Sequence, residues 1–83
     1  MSKQKFKRGW RVKVADKLPL YMHHFESGFE GIVCEHSDGE YGLIQLQDNK
    51  PINAIWWYPE SLLTLISDDS AKGNKIIMQY KDW

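Results

Sequence analysis

The chain has 83 residues, of which 42% are hydrophobic and 13% aromatic, and its eleven basic and eleven acidic side chains cancel to a formal net charge of zero. A chain this short supports one core and no second domain, and its content of large aromatics argues against disorder throughout. One cysteine, Cys34, excludes an internal disulfide framework and a Cys-rich zinc site; no apolar run approaches the roughly 20 residues that a membrane-spanning helix needs.

The first residues are basic: Lys3, Lys5, Lys7, Arg8, Arg11 and Lys13 all precede residue 15, and no acid stands among them. The opening lacks the apolar core of a secretory signal, so the expected location is cytoplasmic. Trp10-Arg11-Val12-Lys13-Val14 alternates strictly and predicts a half-buried strand with Trp10, Val12 and Val14 inward. From Ala15 to Gly28 the periodicity vanishes around Pro19, Tyr21, His23, His24 and Phe25, which predicts a long irregular loop.

Phe29 to His36 reads as a second strand, in which Cys34 is a small buried hydrophobe, and Ser37-Asp38-Gly39 carries the turn chemistry of a hairpin into Tyr41 to Gln47. From Glu26 to Asp48 the charge reverses, with Glu26, Glu30, Glu35, Asp38, Glu40 and Asp48 and no Lys or Arg. Asp48 to Pro51 marks another turn before Ile52 to Tyr58, a strand nearly apolar on both faces; Pro59-Glu60-Ser61 stops it and opens a short helical turn before a fifth strand, Leu62 to Ile66. This order predicts an all-β fold: residues 1–66 as a small five-stranded SH3-like barrel with a helical turn before its last strand, and residues 67–83 as a C-terminal extension. The extension begins as a polar linker and regains apolar character at Ile76, Ile77, Met78, Tyr80 and Trp83. It reads as a sixth strand folded back on the barrel or as a segment that orders on a partner, and the strand is the preferred expectation.

Met22-x-His24-Phe25, Glu30-Gly31-Ile32-Val33, Tyr41-x-Leu43 and the run from Trp57-Tyr58-Pro59-Glu60-Ser61 to Leu63-Thr64-Leu65-Ile66 together resemble a group of small bacterial and phage SH3-like proteins, over residues 9–66. The resemblance implies the fold and a bacterial setting, and no activity. Phe6-Lys7-x-Gly9-x-Arg11-Val12-x-Val14 is similar to the first strand of KOW-type modules, although Trp10 stands where those carry an acidic or polar residue.

Adjacent strand residues face opposite ways, so one of Trp56 and Trp57 lies outside the core, either covered by the loop or the tail or open to a partner. The favoured reading is a non-enzymatic protein-binding or regulatory module using an aromatic surface of Tyr21, His24, Phe25, Trp57 and Tyr58 with Glu60 at its rim. The alternative is nucleic-acid binding, with Lys5, Lys7, Arg8, Arg11 and Lys13 on phosphates and an aromatic stacked on a base. His23, His24 and His36 lack the spacing of a metal site, and no cofactor is expected. His24 is expected to pack at the base of the loop while His23 faces solvent. No catalytic constellation surrounds Cys34, Asp16, Asp38 or Glu60, and homo-oligomerisation through the tail is open.

Overall fold

A computed structural model describes residues 5–48 and 50–81, with side chains for all of these except 52–54 and 81. The positions of Lys3, Asn49 and Trp83, and the side chains of Ile52, Asn53 and Ala54, therefore lie outside the described residues. The strands are β1 (Arg11–Val14), β2 (Glu30–Ser37), β3 (Glu40–Gln47), β4 (Lys50–Pro59) and β5 (Leu63–Ser67). They form an antiparallel sheet in the order β4-β3-β2-β1-β5, with 3-10 turns at Leu20–Met22 and Glu60–Leu62. The ladders among the described residues leave β4 and β5 as the two ends, so the sheet is open.

The β2–β3 hairpin turns at Asp38 (φ 45°) and Gly39 (φ 82°), two consecutive residues in the left-handed region. That is the turn whose twist matches paired strands, and it fixes the register Ser37↔Glu40, His36↔Tyr41. Val12, Val14, Val33, Tyr41, Leu43, Tyr58 and Leu63 then share one face with Phe6 and Met22 and make the main core. Tyr41 hangs the N-terminal segment on it. Its hydroxyl accepts the backbone N–H groups of Lys5 (2.6 Å) and Phe6 (3.1 Å) and donates to Glu60 Oε2 (3.3 Å).

The other face of β2 and β3 is also apolar, at Ile32, Cys34, Ile44 and Leu46. It is covered by a helix, α1 (Ser70–Lys81), which seats Ile77 among those four residues with Ile76 and Tyr80 beside it. The tail is thus a helix and not the sixth strand expected from the sequence. Gly73, Ile76, Ile77 and Tyr80 fall at i, i+3, i+4 and i+7, one stripe of a helix, whereas a strand would send Ile76 and Ile77 to opposite faces. Asp69 starts α1: its carboxylate accepts the Lys72 N–H (3.2 Å) and its carbonyl the Gly73 N–H (3.1 Å). Trp10 Nε1 donates to Ser70 Oγ (3.1 Å), tying the first turn of the helix to the residue before β1.

The approach of α1 to the sheet is set by two glycines. A Cβ on Gly73 would lie 1.6 Å from the carbonyl oxygen of Gly9, and Gly9 itself has φ 91°. Gly73→Ala, which by helix propensity alone gains about 1 kcal/mol, is expected instead to destabilise the protein by about 2 kcal/mol or more because backbone has to move. Urea unfolding measures it; a midpoint equal to or above that of the wild type contradicts the contact.

Candidate functional site

The long segment between β1 and β2 is held at several points. Gly28 N–H donates to the Ala15 carbonyl (3.1 Å), closing the base of the loop, and Met22 is 4% exposed and belongs to the main core. Between them Pro19, fixed at φ −58°, opens the 3-10 turn, with Met22 N–H donating to the Pro19 carbonyl (2.9 Å), His23 N–H to Leu20 (3.2 Å) and Phe25 N–H to Met22 (2.9 Å). Three residues per turn drive Met22 inward and turn its two predecessors out. Leu20 is 91% and Tyr21 78% exposed.

Phe25 fixes the far side of the tip. Its ring meets Trp56 and Tyr58 edge-on at centroid distances of 5.8 and 5.7 Å, and Phe29 meets Tyr58 in the same way at 5.7 Å. Tyr58 is fully buried, and its hydroxyl donates to the Glu26 carbonyl oxygen at 2.5 Å. Burial, with the charge of the Glu26 carboxylate adding to it, pushes the Tyr58 phenol up to about 12. Gln45 Nε2 reaches the same Glu26 carboxylate at 3.5 Å, so β3 and β4 both hold the end of the loop.

The aromatic surface expected from the sequence is divided by this arrangement. Tyr21, His24 and Phe25 are each exposed on the loop, while Tyr58, which meets the Phe25 ring, is fully buried in the main core. Trp57 lies on the opposite face of β4, half-buried and laid over Gly42, where a Cβ would come within 3.1 Å of its ring. Trp56, also half-buried, packs against the main core and meets Phe25. Glu60 serves the Tyr41 hydroxyl that anchors the N-terminal segment. His24 and His23 are both exposed, which corrects the expectation that His24 packs at the loop base. Their rings contact at 3.8 Å, and His23 Nδ1 lies 2.9 Å from the Leu20 carbonyl oxygen, which it bonds in the tautomer protonated there. Among the described residues no three His, Cys, Asp or Glu side chains converge as a metal site would require. Cys34 is buried as expected, and its thiol donates to the Gly42 carbonyl (3.2 Å).

The basic residues are likewise split. Arg11 is bound to Glu30 through Nη2 (2.5 Å) and Nε (2.6 Å), and Lys13 to Asp16 (3.1 Å). Both alternate with the core residues Val12 and Val14 and so point away from the face on which Phe25 packs. Lys5, Lys7 and Arg8 are exposed, and Arg8 Nη1 donates to the Cys34 carbonyl (3.3 Å). Leu20, the most exposed of the large apolar side chains described, escaped the sequence reading; its signal is the position directly after Pro19, at the start of a turn whose third residue is apolar.

Comparison with known proteins finds no matching family model, curated protein or solved structure.

The phenol of Tyr58 gives a measurable signature. Because its folded value lies above the ordinary 10, its contribution to stability is complete below pH 10 and is lost as pH rises toward 12. Ultraviolet titration of the native protein should show a tyrosine step near 12 from Tyr58. Tyr58→Phe should cost about 1 kcal/mol at neutral pH and remove that step; a variant that retains it contradicts the assignment.

Proposed function

We propose that the chain is a protein-binding module on an SH3-like scaffold, and that the tip formed by Leu20 and Tyr21, flanked by His24 and Phe25, is what its partner grips. The support for the scaffold is the element order: a strand, a long loop, a three-strand meander, a 3-10 turn and a last strand paired back to the first. The observation that carries the binding role is the exposure of Leu20 and Tyr21 on a turn pinned by Met22 on one side and Phe25 on the other. A leucine and a tyrosine held out in water contribute nothing to this core. Presented on an ordered turn, they cost little further entropy when a partner buries them.

Nucleic-acid binding through the basic segment has weaker support, since Arg11 and Lys13 already have carboxylate partners on the face away from Phe25.

The test compares immobilised wild type with a Leu20→Ala/Tyr21→Ala variant in nuclease-treated cell extract. Both should give the same circular dichroism, because neither side chain belongs to the core. The wild type is expected to retain a protein that the variant binds more weakly by about 2 kcal/mol or more, roughly 30-fold. Equal retention by the variant, or capture of nucleic acid alone when nuclease is omitted, contradicts the proposal.

A further inference from the structure

The two ends of the sheet are treated differently by the sequence. At β4 the outer strand carries Lys50, Pro51 and Pro59, a charge and two residues that cannot donate to a ladder. At β5 the outer strand is Leu63-Thr64-Leu65-Ile66-Ser67, uncharged, free of Pro and Gly and rich in β-forming residues. Leu65 is 42% and Ile66 46% exposed. The strand's single irregularity is a bulge at Ile66, where Arg11 pairs with Ser67 and Val12 with Leu65; Leu63 to Leu65 run in regular register.

A cleft opens on each face of this strand. One, on the core side, is lined by Lys5, Phe6, Trp10, Leu63 and Leu65. The other lies under α1, with Arg11, Ile32, Ile66, Lys72 and Ile76 in its wall. A strand added along β5 would send successive side chains alternately into the two.

We propose that β5 pairs antiparallel with β5 of a second copy, joining the two sheets across a two-fold axis. The strand's own sequence fits the role, because it brings a leucine and an isoleucine in succession, one lining each cleft, and no charge to bury. The flanking charges fit as well. The C-terminal end of β5 runs into exposed Asp68, while Lys5 lies alongside Leu63 to Leu65 with its ammonium 5.4 Å over the Phe6 ring. An antiparallel pair sets the Asp68 end of each copy beside the Lys5 end of the other, twice over by symmetry. With a net charge of zero, no long-range repulsion opposes the approach. This interface leaves α1 on its own sheet, in place of association through an unpaired tail.

Sedimentation or light scattering on the purified chain tests this directly. The mass is expected to climb from 9.8 kDa toward twice that value as concentration rises to about 1 mM, the regime of a small interface. Leu65→Lys should return it to a monomer with unchanged circular dichroism. If that variant does not fold, the surface pair decides: Lys5→Glu and Asp68→Lys should each weaken the dimer about fivefold, and the double swap should restore it. A monomeric wild type at every concentration overturns the proposal, as does a dimer indifferent both to Leu65→Lys and to the charge swap.

Discussion

The structure depends on the burial of β2 and β3 on both faces. Val33, Tyr41 and Leu43 point into the main core while Ile32, Cys34, Ile44 and Leu46 point the other way, and water has to be kept from both sets. A small sheet that curls over one core covers only the first. The second needs a separate lid, and α1 supplies it with Ile76, Ile77 and Tyr80. Three ties between α1 and the rest serve that contact: the Asp69 cap starts the helix, the Trp10–Ser70 bond orients its first turn, and Gly9 and Gly73 let the backbones touch.

The tip of the long loop is also held by packing and hydrogen bonds. Met22 roots the tip in the main core, Tyr58 holds the Glu26 carbonyl, and Phe25 closes over Trp56. Trp56 and Tyr58 of β4 therefore act as supports, and the 3-10 turn directs Leu20 and Tyr21 outward. The loop tip and β5 belong to separate elements of the fold.

Much of the architecture was legible in the sequence because the signals were local. The alternation in Trp10 to Val14, the Asp38-Gly39 turn and Pro59 place the five strands and the second 3-10 turn within a few residues of their observed bounds. The helix was missed because Gly73-Asn74 and the run from Ser67 to Ser70 look like linker chemistry, while the stripe that identifies α1 matters only once the second apolar face of β2 and β3 is noticed. The continuous apolar residues Ile32, Val33 and Cys34 were that notice. The candidate site was half legible. Tyr21, His24 and Phe25 lie exposed in the one loop, whereas Trp57 and Tyr58, adjacent in a strand, had to part to opposite faces. Pairing of Arg11 with Glu30 joins residues distant in sequence and becomes visible only when β1 lies beside β2.

Cys34 reports most directly on the two-cover account, since it is 8% exposed within the cluster that Ile77 of α1 seals. A thiol reagent should react slowly with the native protein and at least about tenfold faster with Ile77→Asp, while near-ultraviolet circular dichroism shows the aromatic core of that variant still packed. Equal, slow labelling of the two proteins would mean that α1 is not the cover of the second face, and the account would fail.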